Sequence, residues 1–168
     1  MDSVSSEDAA HARRRRRQTA AIKESLRALS NQLSMLNHQV SAHLELRDVD
    51  LDCLELLARL GPLSPSALAR HGGLHPATVT GILDRLERGG WVSRERDPDA
   101  ADRRSVIVRA ERDRSAEVFR LYAPMNTLMD QICAGYAASE LELLAGFLRR
   151  TTSAGRDATD ELRDGGIR

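Results

Sequence analysis

Several things are scarce in this 168-residue chain, and each scarcity narrows what it can be. There are two cysteines, Cys53 and Cys133, with no CxxC pair, so neither a disulfide framework nor a cysteine metal knuckle is encoded. No apolar run approaches the roughly 20 residues needed to span a bilayer. Aromatics number one Trp, two Tyr and two Phe, so any core must be built from Leu, Val, Ile and Ala. Lysine is almost missing. Of 25 basic residues only Lys23 is a lysine and the other 24 are Arg. Arginine suits planar, bidentate contact with phosphate and base edges, although such usage also follows from genomic base composition. The net charge is zero, which excludes no partner, because a basic face can be balanced by acids elsewhere. An export signal is excluded at "RRRRR" (13–17), because Lys23, Glu24 and Arg27 interrupt the segment where an apolar stretch is required. The chain is expected to be soluble and cytoplasmic.

What is present is mostly helical periodicity. Residues 1–17 are expected to be a basic flexible tail, frayed over 1–12. Ile22, Leu26, Leu29, Leu33, Leu36, Val40 and Leu44 recur in steps of three and four, predicting a long amphipathic helix over 18–47. "VDLDCLELLARL" (49–60) is apolar on more than one side, as a central helix would be, and Gly61-Pro62 ends it. "SPSALARHGG" offers Ser64 as N-cap, Pro65 at the first helical position and Gly72 as stop. "HPATVTGILDRLERGG" repeats the logic, with Pro76 opening and Gly89-Gly90 closing. The two form a helix-turn-helix pattern.

In the second of these helices Val79, Ile82, Leu83 and Leu86 must pack inward. The far side then holds Ala77, Thr80, Gly81, Asp84 and Arg88, flanked by Thr78 and Arg85. Such a small, polar surface can lie close to a groove floor, and it also fits an ordinary solvated face. The next segments favour the groove. "WVSRER" (91–96) and "SVIVR" (105–109) alternate, and "DPDAADRR" joins them, so they predict a β-hairpin placed as a wing. Asp97, Pro98, Asp99 and Asp102 form its turn, with Arg103 and Arg104 on the return. Beyond it, Val118, Leu121, Tyr122, Met125, Leu128, Met129, Ile132, Cys133 and Tyr136 form one stripe, expected to bend at Pro124. Ser139 and Glu142 resemble a capping box, Leu141, Leu144, Phe147 and Leu148 continue the pattern, and 153–168 is expected to be a polar, Gly-rich tail with weak helical character. The fold class is therefore mainly α with a small β wing: 48–110 the winged helix-turn-helix, 18–47 and 111–152 dimerisation helices.

This order resembles the MarR (multiple antibiotic resistance regulator) family of winged-helix transcription factors, over roughly residues 20–150. The resemblance is sharpest in Leu68-Ala69, Thr78-Val79-Thr80, Leu83 to Glu87 ("LDRLE"), Gly90 to Arg94, and the wing "D-x-R" at Asp102 to Arg104. After the wing the chain departs from the family's "LT-x-x-G", having "RAERDR" at 109–114. The resemblance implies a homodimer with interlocked terminal helices, binding a pseudo-palindromic operator in double-stranded DNA. Ser64, Ser66 and backbone N–H groups at 64–66 and 76–78 would meet phosphate. Pro76, Ala77, Thr78, Thr80, Gly81, Asp84, Arg85 and Arg88 present the base-reading helix. Asp84 would accept from a cytosine amino group or orient Arg88 or Arg85. Arg94, Arg96 and Arg103 would lie along the DNA backbone, and Arg104, held by Asp102, would enter the minor groove. A small apolar or aromatic effector is expected in a crevice lined by Leu33, Asn37, Leu54, Met125 and Met129, residues equally suited to plain core packing.

Other classes find less support. The five His (His11, His38, His43, His71, His75) make no metal spacing, no phosphate loop or nucleophile motif appears, and no cofactor is expected, so an enzyme is not indicated. A helical dimer serving as a protein adaptor would keep the fold and lack the need for a basic wing. A redox-sensing regulator would use Cys53 or Cys133. Asp157, Asp160, Glu161 and Asp164 could pair with Arg13–Arg17, which could also serve as a nucleic-acid arm, but a disordered tail is the reading adopted for that run.

Overall fold

In the computed structural model, residues 2–96, 105–163 and 165 are described. The order is α1 (Asp2–His43), α2 (Asp48–Leu60), α3 (Pro65–Gly72), α4 (Pro76–Arg88), β1 (Val92–Arg96), β2 (Val106–Ala110), α5 (Arg112–Cys133) and α6 (Ala138–Arg163). Six helices and one hairpin make a mainly α fold with a small β wing. The chain divides into two units, residues 1–121 and 122–168. The division falls just before Pro124, inside α5, where the ring removes the bond to the carbonyl of residue 120.

The core of the first unit is the winged helix. The buried row of α4, Val79, Ile82, Leu83 and Leu86, closes on Leu51, Leu54 and Leu57 of α2 and on Leu68 and Ala69 of α3. Each large aliphatic side chain buried this way contributes about 1.5–3 kcal/mol. As its apolar surround requires, α2 packs against α1, α3, α4 and β2 at once. Local chemistry sets the helix ends. Ser64 Oγ accepts from the Ala67 N–H (3.2 Å) and Pro65 follows at the first helical position, so α3 starts where the sequence places it. Its stop is Gly73 rather than Gly72. Gly73 is left-handed (φ 65°), and the Leu74 N–H returns to the Ala69 carbonyl at 2.9 Å. Composition cannot choose between adjacent glycines; the one beyond the last helical residue must take the positive φ. The α4 cap is His75, whose Nδ1 accepts from the Ala77 N–H at 3.3 Å.

In the wing β1 and β2 pair antiparallel, from Val92 opposite Ala110 to Arg96 opposite Val106. Leu63 adds two further bonds to Val108 (3.1 and 2.8 Å), fastening the α2–α3 link to the base of the hairpin.

Three expectations differ from what is observed. The basic tail expected over 1–17 lies within α1, which begins at Asp2, because Ala, Arg and Gln are among the strongest helix formers and nothing between Ala9 and Ala21 breaks the run. The tail over 153–168, expected to be polar with only weak helical character, continues α6 as helix to Arg163. The cap of α6 lies earlier than Ser139–Glu142: Glu140 Oε2 accepts from the Ala137 N–H at 2.8 Å.

At the α1–α2 connection, Ser41 is buried, its hydroxyl set between the His38 carbonyl and the Asp48 carboxylate, while His38 Nδ1 lies 3.1 Å from Asp48. The Ser41 hydrogen bond first, and then His38, hold the Asp48 carboxyl below its ordinary range. A depressed folded pKa means that this stabilisation is complete above the unfolded carboxylate value and lost as pH falls through the folded one.

In the second unit no residue of α6 is buried, and Leu128, Ile132 and Leu143 (69%) stand exposed. The first unit likewise exposes Ile22, Leu29 and Met35 of α1 and Phe119 of α5.

Two outcomes are expected of this fold. Leu68→Ala should lower stability by about 2–5 kcal/mol in chemical denaturation, since Leu68 is fully enclosed. Asp48→Asn should lower stability in the neutral region, flatten the acid limb below about pH 4 and converge with the wild type in stronger acid; an unaltered acid limb would show that the Ser41–Asp48–His38 cluster carries none of it.

Candidate nucleic-acid interface

The surface that α4 turns outward is built from its own periodicity. With Val79, Ile82, Leu83 and Leu86 buried, Pro76, Ala77, Thr78, Thr80, Asp84 and Arg88 are exposed and Gly81 is half-buried. Thr80 donates its hydroxyl back to the Pro76 carbonyl (3.2 Å), which leaves its oxygen lone pairs as outward acceptors. Arg88 Nε donates to the Asp84 carbonyl at 3.1 Å, drawing that guanidinium along the helix. Ser66 is exposed at the start of α3, 3.1 Å from the Ser64 hydroxyl that caps it.

The backbone donors expected at the two helix starts need correction. Pro65 and Pro76 have no N–H, the Ala77 N–H is held by His75 Nδ1, and the Thr78 N–H reaches the His75 carbonyl at 2.9 Å. The prolines that pre-organise the first turns remove one donor from each, and the His75 cap takes further ones. Asp102, Arg103 and Arg104 lie outside the described residues.

Two arginines named as DNA contacts are engaged within the fold. Arg85 Nε and Nη2 form a two-pronged pair with Asp50 of α2, at 3.2 and 2.6 Å. The Asp50 side chain is 4% exposed. The hydrogen bond to Asp50 is the main reason the Arg85 guanidinium is pushed still further towards its charged form. Breaking a buried pair by removing one partner strands the other charge, at a cost of about 3–5 kcal/mol, so this contact ties α4 to α2. Arg94 of β1 donates to Asp84 (2.6 Å) and Glu87 (2.9 Å) of α4, bracing the wing against the helix. Asp84 therefore orients Arg94, a pairing not anticipated, instead of Arg85. Arg96 is exposed at the end of β1, and Arg109 reaches Glu95 diagonally across the hairpin at 3.4 Å.

Sequence reasoning missed Asp50 and Arg114. Asp50 falls at i, i+3, i+4, i+7 with Cys53, Leu54 and Leu57, all buried, so an acid on an apolar stripe was the signal. Arg114 at the start of α5 stacks over Trp91 (4.5 Å to the ring centre) and donates to the Gly89 carbonyl (3.3 Å) and Glu117 (2.9 Å). No local pattern announces that contact. Gly89 is required there, because a Cβ would sit 2.7 Å from the Trp91 ring.

The residues named for an effector crevice are divided between the two units. In the first, Leu54 is sealed in the core, and Leu33 and Asn37 lie on α1. Met125 and Met129 belong to the second. Cys53 is fully buried, and burial, followed by the charges of Asp50 and Asp52, pushes its thiol up to about 11, away from the thiolate that redox sensing requires. Among the described residues no group of three His, Cys, Asp or Glu is placed to hold a metal ion, and no helix is long and apolar enough to cross a membrane.

The family model described as MarR family matches residues 46–106, from the α1–α2 link to the start of β2. YcgE of Bacillus subtilis (strain 168), an uncharacterised HTH-type transcriptional regulator, is 30% identical over 131 residues, covering 77% of this chain and 84% of that protein. The chain belongs to the MarR family. Solved structures agree in fold. A MarR family protein from Bacillus stearothermophilus superposes with a TM-score of 0.64 at 19% identity, over 83% of this chain and 96% of that one. A transcriptional regulator from Thermotoga maritima gives 0.58 at 21% identity, over 88% and 99%. As a MarR-family transcriptional regulator, the protein carries in α3, α4, β1 and β2 the winged helix-turn-helix of a DNA-binding regulator.

Two measurements probe this site. In a double-mutant cycle, Asp50→Ala and Arg85→Ala should each destabilise the fold and show a coupling of about 1–3 kcal/mol; additive effects would mean that the pair does not hold α4. In native protein at pH 8, Cys53 should resist alkylation until the chain unfolds, as read by mass spectrometry of the labelled peptide.

Proposed function

We propose that the protein is a homodimeric, sequence-specific repressor that binds a pseudo-palindromic operator in double-stranded DNA and is released by a small apolar or aromatic effector. The observation that carries the DNA-reading part is the face of α4. Its buried row fixes the helix in the core, and this leaves a small, polar half, with Ala77, Thr78 and Thr80 exposed and Gly81 half-buried, free to approach base edges. Ser64 and Ser66 lie at the start of α3, where phosphate would pass, while Arg88, Arg96, Arg103 and Arg104 supply cations on α4 and around the wing. Arg85 acts as a positioning residue through Asp50, and Arg94 holds the wing to α4 until phosphate competes for it.

Dimerisation is supported by the exposed apolar residues of α1, α5 and α6, which the winged-helix core leaves uncovered. Two copies related by a two-fold axis would present two α4 helices to half-sites about 10 base pairs apart. The effector reading names Leu33, Asn37 and Leu54 of the first unit and Met125 and Met129 of the second as candidate lining; binding there would change how the helices of the dimer layer carry α4. A repressor follows if the operator overlaps a promoter, since the bound dimer then excludes polymerase.

Selection from a random duplex pool should return a pseudo-palindrome. Thr80→Ala should then cost about 1–3 kcal/mol on that operator alone and relax preference at one or two positions per half-site. Arg104→Ala should weaken operator and scrambled duplex alike and reduce the salt slope by about one unit, with Asp102→Ala a milder version. If neither variant alters binding, an adaptor role replaces DNA reading. Sedimentation showing only monomer at micromolar concentration would remove the dimer, and a broad screen in which no compound shifts melting temperature or operator affinity would remove the effector.

A further inference from the structure

We propose that Arg13–Arg17 of α1 form a second, sequence-independent DNA site, which holds the backbone of a duplex segment separate from the operator. Five successive helical residues turn through more than a full circle, so their guanidinium groups form a collar around α1 and not a stripe on it. Every residue from Ala10 to Ser25 is exposed, and among the described residues none of the five arginines has an ion pair. Arg13, Arg14 and Arg17 line a concavity floored by Ala10 and Gln18. The collar lies 23 residues before Val40, where α1 enters the core, and therefore about 35 Å along the helix from it. That is about one turn of duplex away from the α1–α2 packing.

Charge density identifies the occupant. The collar places one positive charge per ~1.5 Å of axis, and duplex DNA places one negative charge per ~1.7 Å. Arginine forks suit phosphate. Two other occupants fit less well. A membrane surface needs bulky apolar residues opposite the charges, and from Ala9 to Ala21 the uncharged residues are Ala, Gln, Thr and one His. The acidic end of α6 in a second copy offers Asp157, Asp160 and Glu161, but Arg156 and Arg163 flank them and Asp160 already lies 3.5 Å from Arg163. Even with Asp164 counted, that segment cannot neutralise five arginines.

The inference rests on the DNA-binding reading above, and the test separates the two. Operator duplex is tethered to a surface and saturated with full-length protein, then challenged with a labelled duplex of unrelated sequence. The wild type should capture the second duplex, with capture falling some tens-fold between about 50 and 200 mM salt, the slope expected for about three phosphate contacts on one side of the collar. With all five arginines changed to glutamine (R13Q, R14Q, R15Q, R16Q, R17Q) capture should disappear while operator binding remains. Glutamine is nearly as good a helix former as arginine, so thermal unfolding should be unchanged. The five-lysine variant should restore capture and its salt slope. Capture by the glutamine variant equal to wild type overturns the proposal. So does absence of capture by wild type that is bound to operator, or a glutamine variant whose defect is a weaker dimer. Failure of the wild type to bind the tethered operator overturns the DNA-binding reading itself.

Discussion

A carboxylate sealed inside an apolar core has to be answered by a cation. Asp50 sits on the buried stripe of α2 among Cys53, Leu54 and Leu57, and Arg85 reaches across from α4 to meet it with two nitrogens. Hydrophobic burial alone would let α4 slide or roll on α2, because aliphatic contacts are non-directional. The two-pronged pair removes that freedom. It adds a directional contact to the buried row of α4, which already sets which small polar residues face out.

The rest of the winged helix is keyed to α4 from that point. Arg94 spans from β1 to Asp84 and Glu87, so the wing follows the helix. Trp91 fills the corner after α4, with Gly89 bare beneath it and Arg114 stacked above, and this ties the start of α5 to the same corner. Ser41, Asp48 and His38 close the opposite corner, where α1 hands over to α2. Three polar clusters thus pin a core that is mostly Leu, Ile and Val.

Charge is distributed accordingly. A net charge of zero conceals local pairs in the winged helix and an unbalanced band at 13–17. Arginines at 85, 94 and 114 are matched by acids at 50, 84, 87 and 117 and act as fasteners. The apolar residues of α1 and α6 remain exposed in the single chain.

How much of this was legible follows from the range of each signal. Helix order, the Ser64-Pro65 and Pro76 starts, the buried row of α4 and the alternating hairpin are properties of a few consecutive residues, and the sequence alone determined them. The left-handed position at Gly73 and the Glu140 cap were missed by one to a few residues, because composition marks a helix end without choosing its conformation. The length of α1 was underestimated because an absent apolar stripe was taken for an absent helix, whereas Ala and Arg keep a helix without one. The roles of Arg85, Arg94 and Arg114 were decided only in three dimensions. Their partners lie 35, 10 and 7, and 25 residues away, and such pairings are set by how helices cross and where a strand returns, which no local periodicity encodes.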